Sequence, residues 1–316
     1  MTAINTPATR LYKKQAKLMG NQFEISAVTD DVTFADAAIE AAIGEITRIE
    51  RLLTTYRDDS ETNLVNRNAG IKPVHVSEET FGIIERSLRI SQVTQGAFDI
   101  SYGSVDKKLW NFDTNATSLP DKKTALQMVQ LINYRNIILD KKNLTVFLKQ
   151  KGMRIGFGGI GKGYAAEKAK QVMQQMGCTS GVVNASGDLT TWGYQHNGQP
   201  WVIGIVNPNL SHTAFSSISI TNMAVATSGN YEKFILINGK KYSHTINPKT
   251  GLPVTGIKSV TIIAPNAEIA DAMATPVTIM GVEAGLYMIN QLKDIAAIII
   301  DDDDNIYASN NIKFSK

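Results

Sequence analysis

Residues Gly156-Phe157-Gly158-Gly159-Ile160-Gly161-Lys162-Gly163-Tyr164 place five glycines within eight positions, and a helical pattern follows at once. Apolar spacing predicts a helix over 160–176, closed by Gly177 as its C-terminal cap. A glycine-rich turn entering a helix lets bare backbone approach a ligand. It also opens onto the unpaired N–H groups of the first helical turn, which suit phosphate. Lys162 adds positive charge there. The run has neither the spacing nor the following Ser or Thr of a Walker A loop. Gly158, Gly161 and Gly163 also miss the G-x-G-x-x-G spacing of a dinucleotide fold. Two readings stand side by side: a phosphate-bearing ligand, or a tight strand-to-helix turn with an incidental lysine.

The rest of the chain decides the fold class. Strand patterns are expected at 11–18 and 22–28 with a turn at Gly20-Asn21, and a long helix over 33–54 carries an apolar stripe. Helices follow at 78–94 and 121–131, then a hairpin of 136–140 with 144–148 around Lys141-Lys142-Asn143. After the glycine run come short strands at 181–184, 201–206, 214–220, 223–227, 233–237 and 259–264. Helices at 267–280 and 283–291 and a hairpin of 295–300 with 305–308 complete the chain. Helices and strands alternate without regular βαβ order, which favours α+β, with mixed sheets and packed helices, in a single globular unit from about residue 16 to 316. Residues 1–15, polar at first and containing Pro7, are expected to be a flexible N-terminal segment.

Bulk properties exclude several classes. With 43% hydrophobic and 19% charged residues, the 316-residue chain reads as an ordinary globular protein with ample core. A net charge of +3 is too small for a nucleic-acid surface. The single cysteine, Cys178, allows no internal disulfide or cysteine zinc site, and is expected as a buried, inert thiol. No stretch approaches the roughly 18 apolar residues of a membrane span. The opening residues lack the apolar region of a secretory leader. The chain as written is expected in the cytoplasm, or in the periplasm or anchored to a membrane if a leader has been removed. Asp301–Asp304 lack the spacing, glycine and distal glutamate of a calcium-binding EF-hand loop, so a solvated turn is expected.

Several polar blocks remain. Ala270-Asp271-Ala272-Met273-Ala274-Thr275 puts a carboxylate and a hydroxyl four residues apart, on one helix face. Such a pair is half of a magnesium site, or two residues bonding local backbone. Val183–Asp188 reads as a strand end followed by a polar turn, either a ligand edge or a plain turn. Ala226–Tyr231 is a third polar block, and His244–Gly251 reads as a structured turn with a satisfied His; each alone is weak.

Taken in order, these blocks resemble the FAD:protein FMN transferase family, the ApbE-type flavin transferases. The resemblance runs through Met19-Gly20, Thr54-Thr55-Tyr56, Gly96–Ile100, GGIGKGYAAE, NASGDL, ATSGNY, SHTINPKTG and ADAMAT with Met280-Gly281, so it covers about residues 16 to 300. It implies a fold related to the T-fold. It implies Mg²⁺ held by Asp271, Thr275 and the backbone carbonyl of Gly159. FAD, as substrate, would contact Met19, Tyr56, Ala97, Phe98, Asp99, Lys162 and His244, with Ala274 packed beside it. The family's loop usually begins with Asp where this chain has Gly156, which puts one FAD contact in question. Asn247 likewise stands where Asp is usual.

The implied reaction is Mg²⁺-dependent transfer of the FMN moiety of FAD to a Ser or Thr hydroxyl within a short flavinylation motif of an acceptor flavoprotein. AMP is released. Lys162 would offset phosphate charge, and Asp271 or His244 would take the hydroxyl proton. Two alternatives keep the same site parts: an FAD pyrophosphatase yielding FMN and AMP, and an FAD-binding protein without chemistry.

Overall fold

A computed structural model describes residues 9–113, 116–206, 214–229 and 234–312. Asn230 and Tyr231 of the ATSGNY block, and Lys233, lie outside the described residues. The chain divides into two compact units. The first takes the chain up to Glu50, Lys162–Ala226 and Ile263–Ala270; the second takes Arg51–Gly161, Thr227–Ile262 and the chain from Asp271 onward.

In chain order, β1 (Arg10–Leu18) and β2 (Asn21–Thr29) lead into α1 (Val32–Leu53), α2 (Glu61–Arg67), β3 (Val74–His75) and α3 (Glu78–Val93). A 3-10 turn at Ile100–Ser104, α4 (Lys122–Met128), β4 (Ile137–Asp140) and β5 (Thr145–Leu148) precede α5 (Gly161–Gln175). Then come β6 (Gly181–Ala185), β7 (Asp188–Trp192), β8 (Trp201–Val206), β9 (Ala214–Ile220), β10 (Ala224–Gly229), β11 (Phe234–Ile237) and β12 (Lys240–Ser243). The chain closes with β13 (Ile257–Ala264), α6 (Ala267–Ile289), β14 (Ala296–Asp301) and β15 (Ile306–Ala308).

The first unit is built on antiparallel neighbours β1-β2-β6-β7-β10. β1 begins at Arg10, so residues 10–15 of the expected loose segment are strand. Leu18 pairs with Asn21, which makes the turn Met19-Gly20, one residue before the expected one. Both turn residues have positive φ, 50° and 72°, as the tight primed hairpin turn requires. β7 was not anticipated as a strand. All five of its residues are buried, so it shows no alternation of polar and apolar positions. One core cluster gathers Val28, Leu189, Trp201, Ile220 and Val225. Cys178 is buried, as expected; burial raises its thiol pKa, and Sγ donates to Ser180 O at 3.3 Å.

In the second unit, β3-β5-β4 form a small antiparallel sheet, and β13, β14 and β15 are neighbours in a larger one, with β14 and β15 antiparallel. Ser77 and Asp121 cap α3 and α4 through their side chains, as N-cap residues do. Met128, Val129 and Ile246 form a core with Tyr102, Val105, Trp110 and Ile132 against it. α2 escaped the sequence reading because seven residues are too few for helical periodicity to stand out.

α6 is the exception to the expected lack of span-like segments: by length and composition it is apolar enough to cross a membrane. Half of its most apolar window is nevertheless buried within the protein, as in a core helix. It contains Pro276 and is interrupted at Gly281, whose φ of 79° and ψ of −178° are non-helical. That break matches the two helices read from the sequence. The acidic turn is local structure: Asp301 accepts from Asp303 N, from Asn305 N and Nδ2 and from Tyr307 OH. Among the described residues, no three His, Cys, Asp or Glu converge as a metal cluster.

Candidate active site

The second unit contains a cavity of about 550 Å³, within the roughly 300–1,000 Å³ usual for small-molecule sites. Of the residues singled out in the sequence, Ala97, Phe98, Asp99, Gly156, Gly159, His244 and Thr275 line it. Segments distant in sequence therefore converge: the Ala-Phe-Asp block, the glycine loop, the His block and α6. Tyr102, Lys107, Trp110 and Phe112 also line it and were not anticipated. Trp110 and Phe112 meet edge to face at 6.5 Å, and Phe112 meets the His244 ring the same way at 6.2 Å. The result is an aromatic wall suited to a planar ring system. Only the aromatic spacing of Trp110 and Phe112, in a segment without secondary structure, hinted at this.

The glycine loop is held rigidly from behind. Ile155 N donates to Asn66 Oδ1 at 2.7 Å, and Asn66 Nδ2 donates back to Ile155 O at 3.0 Å. Arg154 N donates to Ser104 Oγ at 2.8 Å, while Ser104 Oγ donates to Arg154 O at 3.0 Å. The Gly156 amide is already spent on Ile100 O at 2.9 Å. Gly161 N donates to Phe157 O at 2.7 Å, so the loop winds directly into the start of α5.

Asp99 is buried, and its carboxylate organises the wall. Oδ1 accepts from Ser101 N at 2.8 Å and Ser101 Oγ at 2.6 Å, and Oδ2 accepts from Tyr134 N at 2.7 Å. Desolvation raises its pKa, and these hydrogen bonds oppose the rise. The His block is equally ordered. Tyr102 OH accepts from Ile246 N at 3.2 Å, and burial raises the Tyr102 pKa. Asn247 Oδ1 accepts from Lys249 N at 2.9 Å, serving the turn role an Asp would serve. Gly251, at φ +71°, allows the turn to lie against Ala125.

Asp271 and Thr275 sit one turn apart on α6. Asp271 is 5% exposed, and Thr275 reaches the cavity. Gly159 lines the same cavity. One carboxylate, one hydroxyl and a backbone carbonyl are hard oxygen donors. They leave positions for phosphate oxygens and water, which is how Mg²⁺ is usually bound beside a phosphate substrate. The residues present fit that ion.

Tyr56 does not line the cavity and is 97% exposed, yet its backbone is fixed. Asn63 Nδ2 donates to both Thr55 O and Arg57 O at 2.8 Å. Ala274 is buried on α6. Met19 and Lys162 belong to the first unit. Met19 holds a positive φ that non-glycine residues seldom adopt, with its N–H donating to Glu50 Oε2 at 2.9 Å. Lys162 Nζ lies 2.7 Å from Asp188 Oδ2, which joins the glycine loop's helix to the NASGDL block.

The sequence profile of the ApbE family matches residues 19–299. A FAD:protein FMN transferase of Klebsiella pneumoniae (strain 342) is 31% identical over 310 residues, covering 97% of this chain and 95% of that protein. One from Treponema pallidum (strain Nichols) is 30% identical over 291 residues, covering 87% and 80%. Among solved structures, the ApbE protein of Thermotoga maritima matches with a TM-score of 0.85 at 28% identity, covering 95% of this chain and 97% of that one. The flavinyl transferase ApbE of Pseudomonas stutzeri matches at 0.84 with 21% identity, covering 96% and 95%, a likeness of fold.

Proposed function

The chain belongs to the ApbE family, which makes it a transferase, and we propose that it moves the FMN half of FAD onto a Ser or Thr hydroxyl of an acceptor flavoprotein. The observation that carries this reading is the convergence of Thr275, Gly159, His244 and the aromatic wall on one cavity.

The isoalloxazine ring packs against Phe112 and Trp110, and the diphosphate extends toward Gly159 and Thr275. Asp271, Thr275 and the Gly159 carbonyl would hold Mg²⁺. When bound, that ion supplies Lewis-acid neutralisation of phosphate charge. The acceptor oxygen attacks the phosphorus on the FMN side, a new P–O bond forms, and the bond to the bridging oxygen breaks. AMP leaves with that oxygen. Phosphoryl transfers of this kind depend mainly on positioning and charge stabilisation. His244, which lines the cavity, would take the hydroxyl proton, a task for which the cavity wall suits it better than burial suits Asp271.

Counting AMP tests this. FAD and Mg²⁺ incubated with an acceptor domain are expected to release AMP in step with acceptor modification, and little AMP without acceptor. Equal AMP release with and without acceptor would make the chain an FAD pyrophosphatase. FAD that stays intact with acceptor present would contradict both.

A further inference from the structure

Glu167 lies outside the cavity, at the end of the GGIGKGYAAE block. Its carboxylate is enclosed in the first unit, where its side chain is 15% exposed and that of Lys170 is 10% exposed. Lys170 Nζ lies 3.1 Å from Glu167 Oε1. Thr190 Oγ1, on fully buried β7, donates to Glu167 Oε2 at 3.1 Å. Ala267 N, the first amide of α6, donates to the same Oε2 at 3.1 Å.

That last bond matters for the site. The first N–H groups of a helix have no partner within it. At the start of α6, Asn266 Oδ1 takes the amide of Ile269 at 2.9 Å, and Glu167 takes that of Ala267. A carboxylate at this end is also favoured by the helix dipole. Ala267 stands four residues before Asp271, so in helical geometry its carbonyl receives the Asp271 amide. Fixing Ala267 fixes the turn that carries Asp271.

We infer that Glu167 is the positioning residue that sets Asp271 and Thr275 for the metal. It does so by tying three sequence blocks together: α5 of the glycine loop, β7 of NASGDL and the first turn of ADAMAT. Lys162 with Asp188 makes a second tie between the first two blocks. The inference rests on the magnesium reading of the site. Residues that orient metal ligands typically change metal affinity or activity by about 10–100-fold when removed.

The test is a Mg²⁺ titration of FAD binding, followed by flavin fluorescence, for the parent, Glu167→Ala, Glu167→Gln and Val183→Ala. Val183 is a buried core residue of β6, and its truncation supplies a destabilised control whose melting temperature is compared with that of Glu167→Ala. Glu167→Ala is expected to raise the half-saturating Mg²⁺ about tenfold or more. Glu167→Gln keeps an oxygen for the Ala267 amide and is expected to recover most of the loss. Val183→Ala is expected to leave the constant unchanged. If Glu167→Ala does not fold, Glu167→Asp, one methylene too short to reach Ala267, is read in its place. An unchanged constant in the Glu167 variant, or an equal rise in Val183→Ala, overturns the inference while the magnesium reading stands. A parent whose FAD binding ignores Mg²⁺ overturns both.

Discussion

Asn66 and Ile155 exchange two hydrogen bonds, of 2.7 and 3.0 Å, so a side-chain amide from α2 stands in for a neighbouring strand behind the glycine loop. Asn66 is buried. Asn66→Ala leaves both the Ile155 amide and carbonyl without partners, at about 1–3 kcal/mol for each orphaned group. A loss of about 3 kcal/mol in denaturant unfolding is expected, with weaker FAD binding as the loop loosens. A midpoint within experimental error of the parent would show that the loop does not depend on this pair.

Phe112 is the hinge of the aromatic wall, in contact with both Trp110 and His244. Aromatic pairs contribute about 0.5–1.5 kcal/mol beyond the area they bury. Phe112→Ala is therefore expected to weaken FAD binding about tenfold in a fluorescence titration, with Phe112→Tyr near the parent. Unchanged affinity in Phe112→Ala would remove the ring system from this wall.

Asp99 gives a pH dependence of defined sign. Burial raises its pKa above the ordinary 3.8. A raised carboxyl pKa favours the protonated form in the folded state, so its contribution is fully present below 3.8 and is lost as pH rises through the folded value. Asp99→Asn loses the Tyr134 bond at every pH but has no charge to bury. The stability of the parent relative to Asp99→Asn is expected to fall as pH rises from about 3 through the acid range. A difference that stays flat, measured by denaturant midpoints across that range, would contradict the buried-charge account.

Gly251 is fixed by space as well as by φ. A Cβ there would lie 1.9 Å from Ala125 O, and φ is +71°. Overpacking costs about 1–3 kcal/mol and the left-handed backbone about 1 more. Gly251→Ala is expected to lose about 3 kcal/mol and to displace the turn that follows His244, lowering transfer as well as the melting temperature. Parent-like melting and transfer would show that the turn can move without cost.

Much of this was legible in the sequence for identifiable reasons. Helices with long apolar stripes, such as α1 and α3, and hairpins with clear alternation, such as β4 with β5, were predicted within a few residues of where they lie. The break of α6 at Gly281 showed in its two separate helical patterns. β7 was invisible because Asp188-Leu189-Thr190-Thr191-Trp192 is buried on both faces and does not alternate. The polar blocks could be ordered along the chain and matched to a family, but not assigned partners. Only the fold shows that Asp99 bonds Tyr134, that Asp188 pairs with Lys162, and that Phe112 faces His244. Those contacts join residues 35, 26 and more than a hundred positions apart, and no local pattern encodes them.

The most direct test of FMN transfer is the intact mass of an acceptor domain after incubation with the chain, FAD and Mg²⁺. One added FMN mass, on a Ser or Thr, is expected. EDTA or Asp271→Ala is expected to abolish it. An acceptor that remains unmodified while the parent chain converts FAD to FMN and AMP would contradict transfer, and transfer that persists undiminished in Asp271→Ala would contradict the metal site on α6.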